Sequence, residues 1–261
     1  MDLLIPSTFG ADERDKKLRV VKFGMLARAV SIFGVERITI YRDRDPKIDQ
    51  ERNAELLKKH LNYAETPPYL RKDLIPFDED LKNANILPAL QIISHGYSDQ
   101  FREGVIKSAE EGELEIKAGL KQPLKAYGDL EEGDRVTVNV LENNQAEIID
   151  PKDIQGFWSF SVEREDKELG EVLKAVDKPV VGTSFHGDPV NQVSGDLKEL
   201  DDLALVFGSA WRGIPDLVER GDLEESQLDL MVDFIPGQET KTVRTEEAVY
   251  ICLSALNLLR S

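Results

Sequence analysis

Asp233–Ala248, reading DFIPGQETKTVRTEEA, joins a strand to an apolar helix through a polar loop, and this joint sets the reading of the rest of the chain. Leu228, Leu230 and Val232 alternate with the period of a strand, Phe234 and Ile235 extend the apolar run, and Pro236 and Gly237 turn it. Thr245 is placed to cap a helix whose first positions, Glu246 and Glu247, carry negative charge where the helix dipole favours it. Between these anchors Gln238, Thr240, Thr242 and Arg244 offer more polar groups than a plain connection needs, which suits a ligand-reading loop. An ordinary strand-to-helix loop with a good cap is the alternative. In the helix, Ala248, Val249, Ile251, Cys252, Leu253, Ala255, Leu256, Leu258 and Leu259 span an arc of roughly 220°. One sheet face needs less, so the helix has a second surface to cover, through a subunit interface or through deep burial.

Outward from this joint, strands and helices alternate. Leu3–Pro6 reads as a strand, Asp15–Phe33 as a helix stopped by Gly34 with Leu18, Val21, Met25, Ala29 and Ile32 inward, and Val35–Tyr41 as the next strand. A helix follows over 49–63. After Pro88 the texture changes to short β-rich runs separated by glycine turns, as in a small β-barrel. From Phe157 the alternation resumes, with a helix expected over Lys167–Val176, strands PVVGTSF and LALVFGS, and a helix near Ile214–Glu219. The expected architecture is α/β: a parallel-sheet domain built from residues 1–88 and 159–261, with a β-barrel domain inserted at 89–158.

Three strand ends in the C-terminal half break into glycine-bearing loops: GTSFHGD, FGSAWRG and PGQETKT. In open α/β sheets ligands bind at such carboxyl ends, so converging loops make a pocket. No two of the glycines are two residues apart, which removes GxGxxG, and GxxxxGK[ST] is absent as well. Cys252 is the one cysteine and the three histidines are scattered, so no zinc spacing exists and no metal is expected. No apolar run reaches the roughly 20 residues of a membrane span, and the first residues lack the order of a signal peptide, giving the expectation of a cytoplasmic protein without a membrane partner. The net charge is −17, yet residues 14–44 hold nine bases and three acids, either a phosphate-binding surface or a solvated helix face.

These loops, in this order, resemble the SPOUT superfamily of RNA methyltransferases, in its archaeal and eukaryotic branch with an inserted OB-like β-barrel. LLIPST with the basic helix behind it, HGYSDQFREGVI, GTSFHG, LVFGS and above all PGQETKTVRTEEA carry the resemblance over nearly the whole chain. It implies a knotted methyltransferase domain, S-adenosylmethionine as methyl donor, RNA, with rRNA as substrate, and a homodimer. Cofactor contacts then fall on His186, Gly208 with Ser209, Asp233 and Phe234, with Ile235, Gly237 and Gln238 contributing backbone atoms. The family commonly has arginine where His186 stands. Arg244 is the catalytic candidate, orienting the acceptor or its phosphate with a planar guanidinium; pairing with Glu246 or Glu247 is its structural alternative. Arg19, Lys22, Arg28 and Arg102 are the RNA-binding candidates, with Tyr97 and Phe101 of the barrel adding stacking. A non-catalytic RNA-binding or ribosome-assembly protein on the same scaffold is the competing function.

Overall fold

Leu3, Leu4 and Ile5 have almost no contact with water on either side of their strand, as an unbroken apolar run requires of a sheet covered on both faces. The computed structural model describes residues 1–260. Its elements begin with β1 (Asp2–Pro6), α1 (Lys16–Phe33), β2 (Arg37–Arg42), α2 (Gln50–Glu65) and α3 (Arg71–Leu74). Next come β3 (Phe101–Glu110), β4 (Glu113–Lys117), β5 (Leu124–Tyr127), β6 (Arg135–Val140) and β7 (Ala146–Ile149). The chain then runs through β8 (Ser161–Glu168), α4 (Leu169–Leu173), β9 (Val180–Pro189), α5 (Ser194–Glu199), β10 (Ala204–Val206), α6 (Ile214–Glu219), β11 (Leu230–Asp233) and α7 (Thr245–Arg260). Two compact units result, residues 1–61 with 160–260, and residues 62–159.

In the first unit six strands form a sheet in the order β11-β9-β10-β1-β2-β8, all parallel. The order reverses beside β1: β2 and β8 extend one way, and β10, β9 and β11 the other. One face is closed by α4 and α6, whose Leu169, Val172, Ile214 and Leu217 pack with Leu4, Val180 and Val206. Helix α7 packs on α1 and on α5. Helix α1 is bounded as its caps dictate, with the Asp15 carboxylate accepting from the Lys17 and Leu18 amides and Gly34 in the left-handed region at φ 67°.

Its inward face differs from the expected one. Val20, Phe23, Leu26, Ala27 and Val30 are buried along with Ala29, whereas Leu18, Val21 and Ile32 are 54%, 41% and 52% exposed. Apolar residues surround much of α1, so periodicity admits two stripes, and the one carrying the largest side chain won. Phe23 packs on the rings of Phe9 and His60 at 6.1 and 5.5 Å between centroids. Helix α4 is shorter than expected because β8 continues to Glu168, which pairs with Arg42, and α5 has no counterpart in the pattern reading.

In the second unit β5-β4-β3-β6-β7 form an antiparallel sheet that nearly closes into a barrel, with a bridge between Lys125 and Gln145 at the seam. Ile106, Leu114, Ile116, Leu124 and Val138 fill it. This unit starts earlier in the chain than the change of texture at Pro88, because the segment from Asn62 is bonded to the barrel strands. The Tyr69 hydroxyl donates to the Ser94 and Glu103 carbonyls (3.2 and 3.0 Å), and Arg135 binds both carboxylate oxygens of Glu65 (2.9 and 2.6 Å) and one of Glu103 (2.5 Å).

Strand β9 is the irregular member of the sheet. Gly182 pairs with Met231 and Asp188 with Val232, so residues 183–187 have no partner on β11 and bulge outward. The bulge closes through Gly187, where a Cβ would stand 2.4 Å from the Met231 carbonyl oxygen. Gly187→Ala is therefore expected to cost about 1–3 kcal/mol in thermal unfolding. Gly195→Ala, in α5 with nothing within 4 Å of the added carbon, should be neutral or stabilising by up to about 1 kcal/mol. Equal midpoints for the two variants would contradict the tight seam.

Candidate functional site

The bulge of β9 and the loops after β10 and β11 meet around a cavity of about 410 Å3 at the carboxyl end of the sheet, within the size range of small-molecule sites. Its walls are Thr183–His186 from the first segment, Phe207–Gly213 from the second, and Val232–Ile235, Gln238 and Lys241–Val243 from the third, with Thr245, Ala248 and Cys252 of α7 completing it. Cys252 is buried there, and that burial pushes its thiol well above the ordinary range.

The loop after β10 is tight and anchored. A Cβ on Gly208 would lie 2.6 Å from the Arg212 carbonyl oxygen, so only glycine allows the Ser209 amide to donate to that oxygen at 2.7 Å. The Ser209 hydroxyl oxygen accepts from the Trp211 and Arg212 amides (3.3 and 3.0 Å). Arg212 then reaches the end of β2, where its guanidinium binds both oxygens of Asp43 (3.0 and 2.9 Å) and Asp45 (2.8 Å). Asp43 is 1% exposed and also accepts from the Thr8 hydroxyl at 2.5 Å. Burial opposes charge on Asp45, but the Lys47 amide and Arg212 outweigh it and hold its carboxyl below the usual value. Tyr41 ties the start of the loop, donating to the Phe207 carbonyl at 2.7 Å, and its burial raises the phenol pKa well above normal.

The loop after β11 is held at both ends. An Asp233 carboxylate oxygen accepts from the Ile235 amide (2.9 Å), and the Gln238 amide closes the turn on the Ile235 carbonyl (3.0 Å) with Gly237 at φ 79°. The helix start corrects the expected cap. Thr245 is the first helical residue, and its hydroxyl crosses to the Gly208 carbonyl at 3.3 Å. The end is capped instead by Glu247, whose carboxylate accepts from the Arg244 amide at 3.0 Å.

Of the expected cofactor residues, His186, Gly208, Ser209, Asp233, Phe234, Ile235 and Gln238 line the cavity, and Gly237 supplies the turn. Arg244 is exposed and stands outside the lining; its backbone amide, not its guanidinium, meets Glu247. Lys22 is buried and bound to Asp12 (2.5 Å) and Glu246 (3.2 Å); burial acts to lower its pKa, and the two acids outweigh it and raise it. Arg19 spends its guanidinium on the Glu13 carbonyl (2.6 and 3.1 Å). Arg28 is half-buried on α1, and Arg102 lies half-buried on β3 with its Nε shielded from water. Pattern reading passed over Phe185, Trp211, Arg212, Asp216 and Lys241, all of them at the cavity; an aromatic inside each of two glycine-bounded loops was the available signal. Among the described residues no cluster could hold a metal ion, and no helix is long and apolar enough to cross a membrane.

A parallel α/β sheet interrupted by a barrel, with a cavity between the carboxyl ends of β10 and β11 and a bulge inside β9, where a strand end was expected after Val181, defines the architectural class. A protein family described as "Putative RNA methyltransferase" matches residues 1–256. An uncharacterized protein of Halobacterium salinarum is 31% identical over 98% of both chains. The 28S rRNA (uridine-N(3))-methyltransferases of Homo sapiens and Drosophila melanogaster are 29% and 27% identical, across 98% of this chain and 77% and 61% of theirs. The chain belongs to this RNA methyltransferase family and is a methyltransferase.

Removing the anchor tests the geometry. Arg212→Ala leaves Asp43 buried without its counter-charge and is expected to cost about 3 kcal/mol. A carboxyl depressed in the folded state contributes stability above its unfolded pKa of about 3.9 and loses it as pH falls through the folded value. For Asp45 the deficit of the variant should thus be largest near neutrality and shrink below about pH 4. Denaturant titrations from pH 3 to 7 measure this; a deficit that grew toward acid would contradict the pairing.

Proposed function

We propose that this chain transfers a methyl group from S-adenosylmethionine to a nucleotide of ribosomal RNA, with uridine N3 as acceptor, and acts as a homodimer on a knotted scaffold. The observation that carries the reading is the cavity, where three segments with the spacing of the resembled family meet. Its chemistry fits the donor. Phe207, Val232, Phe234 and Ile235 offer an apolar bed for an adenine ring, Ser209 and Gln238 offer polar atoms for ribose, and Asp216 and Asp233 bring negative charge toward a sulfonium. When bound, S-adenosylmethionine supplies an activated methyl group and a good leaving group.

Position then carries most of the rate. Methylation at uridine N3 would form an N–C bond as the donor's S–C bond breaks, with the N3 proton passing to water. Arg244, exposed beside the cavity loop, presents a planar guanidinium to an acceptor or its phosphate. Arg14, Lys16 and Lys17, exposed at the start of α1, take over the phosphate role from Lys22, while Arg102, Tyr97 and Phe101 remain the barrel's contribution. The last segment returns from β11 past Gly208 and packs α7 on α1 and α5.

Two measurements decide the function. Calorimetry should give a donor affinity in the micromolar range and mass spectrometry of rRNA from a strain lacking the gene should show loss of one 3-methyluridine; absence of donor heat at millimolar concentration would favour a non-catalytic RNA-binding protein. The dimer reading rests on apolar side chains left in water, Ile251 and Leu258 of α7 and Leu18, Val21 and Ile32 of α1. Ile251→Glu with Leu258→Glu should halve the sedimenting mass, and a wild-type monomer in ultracentrifugation would refute the dimer.

A further inference from the structure

Phe185 and Trp211 are held out of the core at the cavity, 62% and 48% exposed, while Phe207, Val232 and Cys252 on its inner side are buried. Neither aromatic sits on slack chain. Phe185 lies in the β9 bulge, pinned at one end by the Thr183 hydroxyl donating to the Val206 carbonyl (2.9 Å) and at the other by Gly187 against β11. Its ring is backed by His186, 3.9 Å away between centroids at 38°. Trp211 donates its amide to Ser209 and directly precedes Arg212, whose side chain is clamped by Asp43 and Asp45. Two rigid supports therefore present apolar rings to solvent, an arrangement that burial alone disfavours and a flat apolar ligand would reward.

We propose that Phe185 and Trp211 form a nucleobase subsite, on which the RNA base receiving the methyl group stacks at the mouth of the donor cavity. The proposal rests on the methyl-transfer reading and adds the residues that grip the acceptor. N3 lies on the pairing edge of uracil, so the base must leave its helical stack before that atom can meet a methyl group. Aromatic rings at the entrance replace the stacking the base gives up, and do so for any base, since each has a π face. The gradient of burial assigns the occupants: the inner, apolar part suits the donor's adenine, and the exposed rings meet what arrives from solvent.

The experiment is steady-state methyl transfer from S-adenosylmethionine to rRNA purified from a strain lacking the gene, using the full-length protein, alongside calorimetry with the donor alone. Phe185→Ala and Trp211→Ala should each raise the KM for rRNA roughly 5–150-fold, leave donor affinity within about twofold, and leave the Tm unchanged, because exposed rings support no core. Trp211→Phe should restore most of the loss. Unchanged KM in both alanine variants, or donor affinity falling in parallel, would overturn the subsite while the methyl-transfer reading stands. A wild-type protein that neither binds donor nor methylates would overturn both.

Discussion

Arg212 places its guanidinium between Asp43 and Asp45, carboxylates just beyond the end of β2 that are almost wholly withdrawn from water, and the loop after β10 is carried on that anchor. An unpaired charge in such a place is far more costly than a surface ion pair is favourable. The cluster therefore tolerates one arrangement. Thr8 extends it to the end of β1, and Tyr41 and Ser209 pin the loop's two ends. The ends of β1, β2 and β10 are thereby bound into one frame at the place where strand order reverses, and the cavity is built against it.

Much of this could be read in the residues alone. Asp15 and Gly34 bound α1 because their cap chemistry is local, and Gly208 and Gly237 announced the turns after β10 and β11, whereas Gly182 and Gly187 proved to flank a bulge inside β9 and not a strand end. What escaped was set by distant partners. Which stripe of α1 faces inward depended on Phe9 and His60, which no periodicity reveals. Lys22 looked like a solvent-facing base in a basic run until Asp12 and Glu246 closed on it. Arg212 shared its loop with an expected contact, yet its role required carboxylates far away in sequence. The same holds for the barrel's unit, whose start is fixed by the bonds of Glu65 and Tyr69 rather than by composition.

The charge of the protein acquires a different meaning once the pairs are placed. A net charge of −17 repels a polyanion at long range, and part of the basic run in α1 is consumed internally by Lys22 and Arg19. Of the bases of α1, Lys16 and Lys17 at its start stay exposed, while Arg19 and Arg28 are half-buried and Lys22 is buried.

The seam in β9 has a consequence for how such a cavity can vary. The ladder with β11 stops at Gly182 and resumes at Asp188, so the intervening residues contribute to the cavity wall without setting the register of any strand. Their number governs how far the wall reaches, and a residue gained or lost there would reshape the entrance while every neighbouring pairing stayed in step. The shape of the cavity mouth can thus be adjusted by length in one short stretch, independently of the frame that holds it.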